Sequence, residues 1–149
     1  MGSREALARN LAEFPTLRKV LAVVDDFDVT YYRNRKPWYE LSDSTNLKTT
    51  MCPNGSWGLV RRVFLSRFDG AVEEVQISNY ATLMDALMFH NLNDIEMVFV
   101  WEHDYSPGWN EKTIYMYKLH DVERRIGEIL SIQHRDRERL RYTKEAKRA

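Results

Sequence analysis

The dipeptide Asp69-Gly70 separates two β-rich runs near the middle of the chain, and it limits the folds that the chain can adopt. The run before it reads WGLVRRVFLSRF, and the run after it reads AVEEVQIS. Asp-Gly supplies the positive φ angles that a tight hairpin turn requires. The sequence therefore predicts an antiparallel β-hairpin at this point.

Two more pairs of β-rich runs flank this hairpin. IEMVFVWEH and KTIYMYKLH are joined by DYSPGWNE, and FDVTYYR is followed by PWYEL across the residues NRK. Strands joined by short turns pair antiparallel with each other. We expect both pairs to be hairpins, the one nearer the N-terminus with a basic tip at Asn34, Arg35 and Lys36.

Apolar residues at helical spacing mark the segments around these hairpins. Residues 4–14 and the segment NYATLMDALMFHN predict short helices, and the chain from Asp121, as N-cap, to Ala146 predicts a long one. Residues 16–26 fit either a helix or a strand, and a helix is favoured. The prediction is an α+β fold: an antiparallel sheet of β-hairpins with helices packed on one face and a long C-terminal helix.

The length of 149 residues predicts a single domain over residues 1–149. The apolar stripe of the last helix stops after Leu130, apart from Leu140. Residues 134–149 hold seven Lys and Arg against three Asp and Glu. Residues 131–149 are therefore predicted to form a basic helical extension beyond the core.

Cysteine content and hydropathy bear on the compartment. Cys52 is the only cysteine, so no disulfide can form within the chain, and a reducing compartment fits best. The first ten residues lack the apolar run of a signal peptide. No stretch approaches the ~20 apolar residues that cross a bilayer. We expect a cytoplasmic protein that does not contact a membrane.

The net charge is zero, but the charges are unevenly distributed along the chain. Residues 1–68 hold 11 Lys and Arg against 7 Asp and Glu, residues 69–123 hold 2 against 11, and residues 124–149 hold 9 against 4. Overall neutrality argues against a dedicated, highly basic nucleic-acid binder. Either the segments neutralise each other in the folded chain, or they leave one basic and one acidic face.

The stretch AVVDDFDVT is the first place to look for catalysis. Its Asp26, Asp28 and Thr30 resemble the first motif of the haloacid-dehalogenase-like phosphatases, which implies a nucleophilic Asp26, an acid/base Asp28 and bound magnesium. The later acidic pair of that family has no counterpart here. His103 and His120 are expected at opposite ends of one hairpin, too far apart to share a metal. A carboxylate-dependent magnesium hydrolase is thus the second alternative, and we expect no catalytic residue, cofactor or metal ligand.

Aromatic rings and positive charges concentrate in three places: the stretch YYRNRKPWY, the loop EHDYSPGWNEK and the C-terminal helix. Tyr, Trp and Arg are enriched at binding hot spots. In an extended strand, neighbouring rings face opposite sides, so one of each pair stays available at the surface. The predicted partner-binding residues are Tyr32, Arg33, Arg35, Lys36, Trp38, Tyr105, Trp109, Arg135, Arg137, Arg139 and Arg141.

These features favour a non-catalytic binding protein that engages a protein partner, as an inhibitor or as an assembly or accessory factor of phage or mobile-element type. The alternative is a nucleic-acid-associated module, in which rings stack on bases and basic residues contact phosphates. Its contacts would come from the basic and aromatic hairpin, from Arg61, Arg62 and Arg67, and from the C-terminal helix. The sequence alone leaves the partner and the oligomeric state open.

Overall fold

The computed structural model describes residues 3–36, 59–75, 87, 90–105, 108 and 110–148, and every structural statement below concerns these residues. They form three helices and one five-stranded sheet. The helices are α1 (Ser3–Glu13), α2 (Leu17–Val24) and α3 (Leu119–Arg148). The strands are β1 (Thr30–Arg33), β2 (Leu59–Arg67), β3 (Val72–Val75), β4 (Ile95–Asp104) and β5 (Glu111–Lys118).

The predicted central hairpin is confirmed as β2 and β3. The two strands run antiparallel, with Val63 opposite Val75 and Ser66 opposite Val72. Gly70 takes a φ of 91°, which a side-chain-bearing residue rarely adopts, and its N–H donates to the carbonyl of Arg67 at 2.9 Å. The local chemistry of Asp69-Gly70 therefore sets this turn.

The strands lie in the order β1-β5-β4-β2-β3. The predicted hairpin of β4 and β5 is confirmed, and β4 also pairs antiparallel with β2. β1 joins the edge of β5 in parallel, with Tyr31 opposite Ile114 and Tyr32 opposite Tyr115. The segment PWYEL, predicted to pair with β1, and most of the helix predicted over NYATLMDALMFHN lie outside the described residues.

One side of the sheet, called the helix face, is covered by α1 and α2. Phe14 follows α1, and Leu17, Val20 and Leu21 project from α2. They pack against side chains of the three central strands, namely Val60, Phe64, Met97, Phe99, Trp101, Ile114 and Met116. Alternate residues of a strand point to one face, so these side chains form a continuous apolar layer. Within the ambiguous residues 16–26, Leu17–Val24 form the helix α2, as favoured.

The opposite side of the sheet, called the second face, has its own apolar cluster. Val63, Leu65, Val98, Val100 and Tyr117 pack there with Leu87 and with Val122 from the first turns of α3. The α+β class, the mostly antiparallel sheet and the long C-terminal helix are thus confirmed. α1 and α2 pack on one face as expected, whereas the start of α3 contributes to the other.

α3 spans 30 residues, about 45 Å at 1.5 Å per residue. It begins at Leu119, so Asp121 lies inside its first turn and the prediction that Asp121 is the N-cap is wrong. From Leu130 to Arg141, every side chain that the structure describes is exposed, including Leu130, Ile132 and Leu140. No helix within the described ranges is long and apolar enough to cross a membrane.

Replacing Gly70 by Ala is expected to destabilise the fold by about 1–2 kcal/mol, because the positive φ strains a residue that carries a Cβ. A Cβ there would lie 3.7 Å from the Lys19 Nζ atom, an ordinary contact, so the cost comes from the backbone. Gly127→Ala is the matched control: it lies in α3 with nothing within 4 Å of the added Cβ, and should stabilise by ~1 kcal/mol. Urea unfolding measures both, and equal shifts in one direction would contradict this account.

Candidate functional site

The two adjacent tyrosines of β1 lie on opposite faces of the sheet. Tyr31 lies in the helix-face cluster, whereas Tyr32 lies on the second face beside Tyr115. The separation of the two rings confirms the prediction made from strand alternation. Burial, together with the nearby Asp26 and Asp28 carboxylates, raises the pKa of Tyr31 to about 12.

Three tyrosine rings form a stacked group on the second face. The Tyr32 and Tyr115 centroids are 5.8 Å apart with 24° between the ring planes, and Tyr115 and Tyr117 are 6.5 Å apart with 26°. The first contact follows from the register of β1 on β5, and the second from the i,i+2 spacing within β5. Tyr117 is buried, while Tyr32 and Tyr115 are half-buried.

Two cations lie above these rings. The Arg35 guanidinium is 4.4 Å from the centroid of Tyr32, and the Lys36 ammonium is 5.8 Å from that of Tyr115. Asn34 makes this placement with a φ of 54°, a left-handed conformation that Asn tolerates better than most residues. The Tyr117 hydroxyl fixes the turned chain by donating to the Lys36 carbonyl at 2.5 Å.

These residues surround a cleft of about 480 Å³, called the tyrosine cleft. Its lining consists of Thr30, Tyr32, Arg35, Lys36, Glu111, Thr113 and Tyr115. The cleft thus combines two aromatic rings, two cations, four hydroxyl groups and one carboxylate. Within the described ranges, neither Arg35 nor Lys36 forms an ion pair.

A buried ion pair lies beside the cleft. Arg61 and Glu102 are opposite each other on β2 and β4, and the Arg61 Nε atom donates to the Glu102 Oε1 atom at 2.5 Å. Both are buried. With Thr113, opposite Glu102, and Thr30, opposite Thr113, they form a polar row across the second face. This row runs next to the one that contains Tyr32 and Tyr115.

The residues around Tyr115 alter the pKa of its hydroxyl. Burial, followed by the Glu102 carboxylate and the Tyr32 hydroxyl, raises the pKa of Tyr115 to about 12, while Arg61 acts in the opposite direction. Tyr115 is therefore fully protonated at neutral pH. Its hydroxyl can donate a hydrogen bond to an acceptor in the cleft.

The structure brings only part of the predicted binding set together. Tyr32, Arg35 and Lys36 meet in the tyrosine cleft. Arg33 does not: it lies on the helix face, over the Phe14 ring at 5.0 Å, in an ion pair with Glu13.

The remaining predicted residues lie elsewhere or outside the described part of the chain. The Tyr105 ring folds back onto the His103 ring, with 3.8 Å between centroids. Arg135, Arg137, Arg139 and Arg141 are exposed on α3 and take no part in the cleft. Trp38 and Trp109 lie outside the described residues.

Arg61, Arg62 and Arg67, the candidate nucleic-acid contacts of β2, are all engaged in ion pairs within the sheet. Arg61 is paired with Glu102 as described, Arg62 with Glu74 at 2.6 Å, and Arg67 with Glu73 at 3.0 Å. These three arginines of the basic segment 1–68 thus each meet a glutamate of the acidic segment 69–123. Of the two alternatives left open by the charge distribution, mutual neutralisation holds for these residues.

Asp26, one of the two carboxylates that suggested catalysis, is engaged in contacts within the fold. The resemblance to the phosphatase motif requires a buried strand before Asp26, whereas α2 precedes it. Asp26 is buried, pairs with Lys112 at 3.1 Å and accepts a hydrogen bond from the Asp28 N–H. His103 lies opposite Lys112, at the end of the β4–β5 hairpin away from His120, which confirms their predicted separation.

Sequence reasoning missed Tyr115, Thr113 and Glu111, although the alternation in KTIYMYKLH places them on one face of a strand. The parallel pairing of β1 with β5 is what brings them to Tyr32.

The described residues contain no group of three or more His, Cys, Asp and Glu placed to hold a metal ion. Comparison of the chain with protein-family models, curated proteins and solved structures found no match.

Removing one member of the buried ion pair, as in Glu102→Leu, is expected to cost about 3–5 kcal/mol of unfolding free energy, because the buried Arg61 guanidinium loses the Glu102 carboxylate. The double variant Arg61→Leu/Glu102→Leu should be less destabilised than Glu102→Leu alone. Urea unfolding of both singles and the double measures the coupling. Simple addition of the two single losses would contradict the pairing.

Tyr31 and Tyr115 are expected to ionise about two pH units above the usual tyrosine pKa in an absorbance titration of tyrosinate. Tyr115→Phe should remove one of them and Tyr31→Phe the other. The folded state keeps these protons above pH 10, where the unfolded chain loses them, so the free energy of unfolding should fall between pH 10 and 12. An unchanged late phase in Tyr115→Phe would contradict the assignment.

Proposed function

We propose that this protein is a non-catalytic binding module whose tyrosine cleft holds a segment of single-stranded nucleic acid. The observation that carries the proposal is the stacked pair of half-buried rings, Tyr32 and Tyr115, under two cations that form no ion pair with any described residue. Rings for bases and cations for phosphates are the two elements that sequence-tolerant single-strand binders combine.

The aromatic part of the cleft suits an unpaired base. Stacking on an aromatic side chain contributes about 1–3 kcal/mol per base, and every base has a π-face to offer. The Arg35 guanidinium above Tyr32 is planar, and such planes also stack on bases. A base can therefore extend the existing stack of guanidinium and ring.

The polar part of the cleft suits a phosphate and a sugar. Arg35 supplies a fork of donors and Lys36 a point charge, the two cation types that bind phosphate oxygens. The Thr30, Thr113 and Tyr115 hydroxyls add hydrogen-bond donors and acceptors for a sugar. The net charge of the cleft, with Glu111 included, remains positive by one.

The dimensions favour a single strand over a duplex. A volume of about 480 Å³ lies in the range of pockets for small molecules, so the cleft admits about one nucleotide and excludes a double helix. In a duplex the bases are stacked inside and cannot reach half-buried rings. With only two cations engaged and zero net charge on the chain, we expect modest affinity that depends on salt.

A protein partner, which the sequence analysis favoured, remains a prediction. The cores of protein interfaces are depleted in charged residues, and the tyrosine cleft carries three. The cleft therefore supports the nucleic-acid alternative better than an interface with another protein.

Tyr32→Ala is expected to weaken the binding of a fluorescent single-stranded oligonucleotide by roughly 5-fold to 100-fold, the loss of one stacked base. Arg35→Ala should weaken binding and lower the slope of log K against log salt by about 0.7, the loss of one phosphate contact to a single strand. Fluorescence anisotropy over a salt series in DNA and RNA measures both effects.

Arg33→Ala is the matched control for Arg35→Ala. It makes the same charge change two residues away, on the helix face and in a half-exposed ion pair that contributes little stability. It should leave affinity and salt slope as in the wild type. Equal losses in Arg33→Ala and Arg35→Ala, or no binding of wild-type protein at low salt, would overturn the proposal.

A further inference from the structure

The tyrosine cleft contains one negative charge, the carboxylate of Glu111. Glu111 begins β5 and is exposed. Glu111, Thr113 and Tyr115 alternate along β5, so their side chains lie on the same face of the sheet. Glu111 comes four residues before Tyr115, a separation of about 13 Å at ~3.3 Å per residue. The cleft therefore has one end with rings and cations, at Tyr115, and one anionic end, at Glu111.

No attractive charge within the fold accounts for the Glu111 carboxylate. It forms no ion pair with any residue that the structure describes. The residue opposite it on β4 is Asp104, and like charges directly opposite each other on two strands are destabilising. Burial raises the pKa of Tyr115 most, and the carboxylates of Glu102 and, to a smaller extent, Glu111 add to it. Glu111 is thus within electrostatic range of the Tyr115 hydroxyl and available to a ligand.

A carboxylate in this position selects for hydrogen-bond donors. An ionised carboxylate only accepts hydrogen bonds, and it repels the phosphates of a nucleic acid. A deoxyribose inside a DNA strand has no hydroxyl to donate, whereas every ribose of an RNA strand offers a 2′-OH, which both donates and accepts. Thr30 and Thr113, opposite each other in the lining, can donate to the oxygen of that same 2′-OH. The anionic end of the cleft therefore suits a ribose.

We propose that the tyrosine cleft binds RNA in preference to DNA, with the Glu111 carboxylate accepting a hydrogen bond from a ribose 2′-OH. This preference rests on the proposed binding of a single strand and adds which type of strand is bound. With its base stacked on the rings, the bound nucleotide places its sugar over Thr113, midway between Tyr115 and Glu111. Dinucleotide-binding sites use the same contact, from an Asp or Glu to the ribose 2′-OH.

Three strands of one sequence test the preference in wild-type protein by fluorescence anisotropy: RNA, DNA with uracil bases, and RNA with 2′-fluoro sugars. The 2′-fluoro strand keeps a ribose-like pucker and lacks the donor. RNA should bind roughly 10-fold to 100-fold more tightly than either of the other strands, the effect of one hydrogen bond to a charged group. The same preference should appear in strands of A, C or U, because the 2′-OH is common to all ribonucleotides.

Glu111→Ala assigns the preference to its residue. The variant should bind RNA and DNA equally, and its affinity for DNA should equal or exceed that of the wild type, because a negative charge leaves the cleft. If Glu111 acted only by repelling phosphates, both strands would gain equally and the preference would persist. Glu96→Ala is the matched control: it removes the same charge from an exposed residue of β4 outside the cleft, and should keep the wild-type preference.

The outcomes separate this proposal from the one on which it rests. Equal wild-type affinity for RNA and DNA, or a preference that Glu111→Ala retains, would overturn the contact between Glu111 and the 2′-OH while single-strand binding stands. A preference confined to strands of one base would overturn it as well, and would assign Glu111 to a base edge. Failure of all three strands to bind at low salt would overturn both proposals.

Discussion

The parallel pairing of β1 with β5 determines what this chain presents on its surface. A strand of four residues, attached to the sheet edge in one register, assigns Tyr31 to the helix face and Tyr32 to the second face. A slip of one residue would exchange the two rings, since side chains alternate along a strand. The helix-face cluster that includes Tyr31 fixes the register, and the tyrosine cleft is its consequence.

Internal ion pairing decides which charges remain for a partner. Three arginines of β2 are matched with glutamates on neighbouring strands, and one of these pairs is buried in the sheet. A chain of zero net charge can still have a locally charged binding site, because some charged side chains are paired within the sheet and others are not. Arg35 and Lys36 gain ring contacts instead, which positions them over the same cleft.

The sequence predicts those parts of the fold that local chemistry decides. Asp69-Gly70 sets its own turn, short connections join β4 to β5, and apolar spacing marks α1 and α3. β1 and β5 lie some 80 residues apart in the chain, and no local pattern records that they pair. Sequence proximity favoured a hairpin with PWYEL instead, so the parallel pair was missed.

The candidate site divides in the same way. Tyr32, Arg35 and Lys36 could be predicted, because rings and charges concentrate in one short stretch. Tyr115 and Thr113 could not, because only the tertiary register gives them a role beside that stretch. Arg61 shows the converse: its type suggested a surface contact, and its position opposite Glu102 made it a buried ion pair.

The most direct test of the central claim uses Tyr31 and Tyr32, which are neighbours in sequence on opposite faces. In NMR spectra of protein labelled in its tyrosine rings, a short single-stranded oligonucleotide is titrated and each ring signal is followed. The account predicts that the Tyr32 and Tyr115 signals shift and saturate together, while the Tyr31 signals stay in place. Unmoved Tyr32 and Tyr115 signals, or equal shifts for Tyr31, would contradict it.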